Sequence, residues 1–97
     1  MTCWVYILEC SDGSYYTGTH RGTDVEYRVR DHNDGKYRGY TFYRRPVKLV
    51  WCAEFPIIHE AIAWERQIKG WSRKKKEALI SGQSELLPEL ASRKKES

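Results

Sequence analysis

Cysteine, proline and long apolar runs are all scarce in this chain, and each scarcity excludes something. Its three cysteines, Cys3, Cys10 and Cys52, are an odd count with no Cys-x-x-Cys spacing. Neither a disulfide framework nor a zinc site is supported. The thiols read as small buried hydrophobes in a reduced, cytoplasmic setting. No apolar run approaches the roughly 18 residues of a membrane span, so no membrane association is expected. No basic-then-apolar leader precedes the first structured segment. With three prolines, no internal repeat and no linker, the 97 residues are expected to form one domain. That domain should occupy residues 1–82. Residues 83–97 form a polar extension, partly docked through Leu86, Leu87 and Leu90, with a frayed end.

What is present is a modest core and an uneven charge. The apolar fraction is 40%, enough for a small domain. Lys plus Arg outnumbers Asp plus Glu by 17 to 13. The surplus is concentrated: Lys36 to Lys48 carries five cations and no acid, and Arg66 to Lys76 carries six and no acid. Clustered charge of one sign points to a polyanionic partner.

Trp4-Val5-Tyr6-Ile7-Leu8 is aromatic and branched, hence a strand. Val5 and Ile7 lie on one face, Trp4 and Leu8 on the other, as in a central strand covered on both sides. Ser11-Asp12-Gly13 supplies turn chemistry, and Ser14 to Gly18 returns as a second strand. A two-residue Asp12-Gly13 loop puts Tyr6 and Tyr16 on opposite faces. A three-residue loop with Gly13 left-handed pairs Cys10 with Ser14 and makes the two phenols diagonal neighbours. Thr23 to Glu26 fits a capping box, with Thr23 as N-cap of a helix over Asp24 to Asp34 stopped by Gly35. Tyr37 to Pro46 reads as a loop, and Val47 to Ala53 as a third strand. Pro56 opens a helix from Ile57 to Lys69 ended by Gly70, and Ser72 caps another from Arg73 to Ile80. The order β-β-α-β-α-α predicts a small α/β (α+β) domain: a three-stranded antiparallel sheet flanked by helices.

Polar residues interrupt the helix stripes. Val25, Arg28, Val29 and His32 share one face of the first helix, and Glu65 falls among Ile58, Ala61, Ile62 and Ile68 on the second. Charged groups are rarely buried without partners. Arg28 has Glu26 and Asp31 within reach, His32 could bond a backbone carbonyl, and Glu65 could pair with Lys69 at i+4. The other solution is a polar cleft at the sheet's edge.

These residues form a set that resembles a known family. Tyr6 closing Trp4-Val5-Tyr6, with Tyr16-Thr17-Gly18, is similar to the paired tripeptides of the GIY-YIG nucleases. Arg28-Val29-Arg30-Asp31-His32 looks like its Arg-x-x-x-His helix. Glu65-Arg66-Gln67-Ile68-Lys69-Gly70-Trp71 and the following Arg73 to Ile80 resemble the short stand-alone members. The likeness spans about residues 3 to 82. Trp4 stands for the motif's first Gly, Thr17 for its Ile, and Thr19 for a lysine that several members carry, a role His20 or Arg21 could fill.

The resemblance implies a nuclease that hydrolyses nucleic-acid phosphodiesters with a divalent metal, Mg²⁺ or Mn²⁺, held by Glu65. Tyr6, Tyr16, Arg28, His32 and Glu65 would be its catalytic residues. Arg28 offers a planar fork for phosphate oxygens. Tyr6 would act on water as base or orienter, with neighbours favouring its phenolate. His32 could relay the proton. Lys36, Arg38, Arg44 and Arg45 alternate with aromatic rings, and Lys69, Arg73, Lys74 and Lys75 follow Glu65. These eight cations are the candidate nucleic-acid contacts, unless the loop's rings pack on the sheet. The expected partner is DNA, with RNA possible, cut by structure or without specificity in repair or processing, by a monomer or weak homodimer. The alternative is a binding module on the same fold with little cleavage.

Overall fold

A strand apolar on both sides belongs in the middle of a sheet, and the first strand sits there. The computed structural model describes residues 2–82, so the extension beyond lies outside the described residues. Its elements are β1 (Cys3–Glu9), β2 (Tyr15–Arg21), α1 (Val25–Asn33), a single 3-10 turn at Phe42–Arg44, β3 (Lys48–Phe55), α2 (Ile58–Lys69) and α3 (Arg73–Ile80). The sheet order is β2-β1-β3, with both pairs antiparallel.

The pleat of β1 sorts its side chains into two cores. Cys3, Val5 and Ile7 pack with Ala61 and Ile68 of α2 and Leu79 of α3. Tyr6, Leu8 and Cys10 pack with Val25 and Val29 of α1 and with Val47. Val5, Ile7 and Leu8 are fully buried, and each such side chain contributes about 1.5–3 kcal/mol. The sheet is therefore a partition, with α1 on one side and α2 and α3 on the other.

The hairpin takes the three-residue turn. Cys10 N–H donates to Ser14 O at 2.8 Å, and Gly13 has φ +84°. Leu8 then faces Tyr16, and Tyr6 faces Gly18. Asp12 tightens the turn by accepting from Ser14 N and Ser14 Oγ. Two arginines hold the turn from outside: Arg44 Nε donates to Asp12 Oδ2 at 3.1 Å, and Arg73 Nη1 donates to Gly13 O at 2.6 Å.

Local details differ from the sequence reading. The N-cap of α1 is Asp24, whose carboxylate accepts from Glu26 N at 2.9 Å. Asp24 outcompetes Thr23 because an ionised cap also meets the helix dipole. Strand β3 begins at Lys48, because Val47 N–H is taken by Asn33 Oδ1 at 2.7 Å. It runs on to Phe55, since Glu54 and Phe55 still pair with Trp4 and Cys3. The segment from Tyr37 to Pro46 is not plain loop, as it winds into the 3-10 turn.

Asp24→Ala should cost about 1 kcal/mol, the usual worth of an N-cap, while Thr23→Ala should be nearly neutral. Urea denaturation followed by circular dichroism checks both.

Candidate active site

The site starts from a missing side chain. Tyr6 is 1% exposed and lies across the ladder from Gly18. A Cβ at Gly18 would stand 2.6 Å from the Tyr6 hydroxyl and 3.1 Å from the Tyr16 ring. The first distance is too short for a Cβ and the second is tight, so the tyrosines occupy the space that Gly18 leaves. Their ring centroids lie 6.4 Å apart on one face of the sheet.

Helix α1 brings His32 onto this pair. Tyr6 Oη and His32 Nε2 are 3.0 Å apart, and His32 Nδ1 and Thr41 Oγ1 are 2.8 Å apart. His32 and Thr41 are buried, at 3% and 1% exposure. The His32 ring also lies edge-on to Tyr16, with centroids at 5.3 Å. Thus His32 bonds two side chains rather than a backbone carbonyl. Burial, with Arg28 adding repulsion, lowers its pKa to about 4, leaving a neutral imidazole at neutral pH. A phenol is a stronger acid than an alcohol. We therefore assign Tyr6 as the donor to Nε2 and the Nδ1 proton to Thr41.

Tyr6 itself is pushed well above the usual phenol range. Burial is the main cause, and Tyr16, Tyr37 and Glu65 act in the same direction. Only Arg28 pulls it down. Of the chain's own groups, Arg28 alone favours the expected phenolate, and burial, which takes the hydroxyl out of water, outweighs it.

Arg28 pairs with neither Glu26 nor Asp31 among the described residues. Its Nε donates to His20 Nδ1 at 3.2 Å, and its guanidinium lies 5.0 Å from the Tyr37 ring centroid. Burial and Arg28 together lower the His20 pKa, so this imidazole stays neutral and can accept. The terminal nitrogens of Arg28 have no hydrogen-bond partner among the described residues.

Glu65 stands at the edge of the cluster on α2. Its carboxylate is 17% exposed and holds Lys69 Nζ at 3.3 Å. Lys69 Nζ in turn lies 5.9 Å from the Tyr16 ring centroid. The described residues contain no group of three His, Cys, Asp or Glu side chains able to cage a metal. One carboxylate suits Mg²⁺, which commonly takes one or two carboxylates and fills its shell with waters and phosphate oxygens. Glu65 already holds one cation, so the residue fits that role.

The eight candidate nucleic-acid contacts are mostly engaged within the chain. Lys36 pairs with Asp31, Arg44 with Asp12, Lys69 with Glu65 and Arg73 with Glu77. Arg45 donates to Phe42 O, and Arg38 lies over the Phe42 ring. Lys74 is exposed. Lys75 lies over the Trp71 ring. Such exposed pairs are worth about 0.2–1 kcal/mol each, little enough for a phosphate to replace them.

The loop holds what sequence reasoning missed. Tyr40 stacks on Tyr16 with centroids at 5.9 Å, and Arg44 caps Tyr40 at 3.9 Å. Tyr37 packs on His32 at 4.7 Å. Tyr37, Tyr40 and Thr41 are thus walls of the site, and His20 is a partner of Arg28. The two tyrosines were signalled only by the aromatic content of an aperiodic stretch, Thr41 by nothing, and His20 by its place beside the lysine position of the family.

Two predictions follow from this packing. Gly18→Ala should cost about 1–3 kcal/mol through overpacking, read by chemical denaturation. Because His32 has a lower pKa folded than unfolded, the unfolded chain binds the extra proton between about pH 6.5 and the folded value. Stability should therefore fall as pH drops through that window, and His32→Gln should flatten the fall in urea midpoint.

Comparison with known proteins identifies the family. The family model described as the GIY-YIG catalytic domain matches residues 2–78. UPF0213 protein BH0048 of Halalkalibacterium halodurans is 49% identical over 81 residues, covering 84% of each chain. UPF0213 protein HQ_3675A of Haloquadratum walsbyi is 49% identical over 76 residues, covering 78% of this chain and 83% of that one. The solution structure of BH0048 superimposes with a TM-score of 0.53, over 84% of both chains. The solution structure of protein EF2693 from E. faecalis gives 0.56 at 34% identity, over 84% of this chain and 85% of that one. With its paired tyrosines, its Arg-His helix and its Glu helix in one fold, the chain belongs to the GIY-YIG nuclease family.

Proposed function

We propose that this domain is a metal-dependent endonuclease that hydrolyses phosphodiester bonds of DNA, or of RNA, by structure or without sequence specificity, in repair or processing. The observation that carries this reading is the Tyr6–His32 contact of 3.0 Å beneath Tyr16, with Arg28 alongside. The resident residues suit the chemistry as follows. The attacking water gives its proton to Tyr6 Oη as its oxygen bonds to phosphorus. Tyr6 passes its own proton to His32 Nε2, so no free phenolate is required. This answers the raised pKa of Tyr6, because a relay needs only a hydrogen bond and a neutral acceptor. Arg28 places its terminal nitrogens on the phosphate oxygens as charge builds. The bond to the leaving oxygen breaks, and that oxygen takes a proton from solvent. Repulsion from Arg28 returns the His32 proton to solvent and resets the relay. Mg²⁺ or Mn²⁺ bound at Glu65 would supply charge neutralisation at the phosphate and the leaving oxygen. Lys69, which now pairs with Glu65, would be free to meet the substrate backbone if that pair opened.

The second reading, a binding module with little cleavage, is favoured by the same burial that keeps Tyr6 protonated. Purified protein incubated with labelled single-stranded, duplex and branched substrates, with and without metal, separates the two. Tyr6→Phe should slow Mg²⁺-dependent cleavage by about 10²–10⁴, the usual worth of a positioned proton-transfer group. Glu65→Ala should abolish cleavage and leave binding intact. If the wild type cuts no form with either metal, the binding reading holds.

A further inference from the structure

Behind the tyrosine pocket lies an open groove of about 520 Å³ lined by Asn33, Phe42, Tyr43, Arg45 and Pro46. None of these residues takes part in the relay. Two of them follow it directly in sequence: Asn33 follows His32, and Phe42 follows Thr41. The same two segments therefore place one residue in the pocket and the next in the groove.

The groove's surface is aromatic and cationic. Tyr43 is 84% exposed, an unusual position for a large ring, and stands edge-on to Phe42 at 4.8 Å. Arg45 and Arg38 lie over the Phe42 ring at 4.5 and 5.0 Å. A bare ring beside cations matches the two parts of a nucleotide, a flat base and an anionic phosphate. The amide and the guanidinium that line the groove are held from within the chain. Asn33 Nδ2 donates to Val47 O, and Asn33 Oδ1 accepts from Val47 N. Arg45 Nε donates to Phe42 O. Stacking on the bare Tyr43 ring remains available, while the amide of Asn33 is turned to Val47 rather than to the groove's occupant.

We infer that this groove is a stacking slot for one unpaired nucleotide of a nucleic-acid strand whose neighbouring phosphate enters the tyrosine pocket, and that it is indifferent to which base it receives. The inference rests on the proposed nuclease reading and narrows its substrate to a strand with an unpaired nucleotide beside the cut.

Binding can be tested without cleavage. Fluorescence anisotropy in EDTA would compare a fluorescein-labelled blunt DNA duplex with the same duplex carrying a short single-stranded overhang. The wild type should prefer the overhang. Tyr43→Ala should lose about 5- to 150-fold in affinity for it, the range of one base–aromatic stack, and bind the blunt duplex as before. Tyr43→Phe should retain the preference. Overhangs ending in each of the four bases should bind alike. A Tyr43→Ala protein that binds the overhang as the wild type does overturns the slot, and a preference above about tenfold for one base overturns its indifference. Overhang binding that does not depend on Tyr43, with metal-dependent cleavage intact, would end this inference alone. Intact Tyr43-dependent binding with no cleavage by the wild type would end the nuclease reading alone.

Discussion

The buried hydrogen bond between Tyr6 and His32 is the constraint on which the other features of the site depend. It joins the central strand to α1 across a dry interface, where a lone phenol or imidazole would lose its hydration without return. Each end is secured by something that could not easily be otherwise. Gly18 leaves the space the phenol fills, and Thr41 holds the far nitrogen of the ring. The bond therefore fixes a strand register, a helix position and a loop conformation together.

From that bond the rest of the cluster is ordered outward by charge. Nearest are two neutral rings, His32 and Tyr16. Next comes Arg28, tied to His20 and backed by Tyr37. Outermost is the Glu65–Lys69 pair, whose lysine is half exposed and whose carboxylate is largely covered. A buried hydrogen-bonded pair surrounded by displaceable cations suits the anionic substrate we propose, which arrives with its own counterions.

Much of this was legible in the sequence. The alternation of Val5 and Ile7 against Trp4 and Leu8 required a central strand, and Ser11-Asp12-Gly13 offered the turn that puts Tyr6 and Tyr16 on one face. His32 and Glu65 stood out because polar residues broke apolar stripes. The loop was not legible, because Tyr37, Tyr40 and Thr41 follow no period. Their positions come from tertiary contacts: stacking on Tyr16, packing on His32, and a buried hydroxyl against Nδ1. The direction of the Tyr6 pKa was also hidden, because residue types announce nearby charges but not how little water surrounds them. Asp24 displaced Thr23 as cap for a local reason, since both residues were eligible and the carboxylate also meets the helix dipole.

The central claim is that a neutral His32 accepts from Tyr6 through Nε2 and donates from Nδ1 to Thr41. Nitrogen-15 NMR of the imidazole at neutral pH measures this directly. The account predicts a single fixed tautomer, with Nε2 bare and Nδ1 protonated. An imidazolium, the opposite tautomer or rapid averaging of the two nitrogens would contradict it.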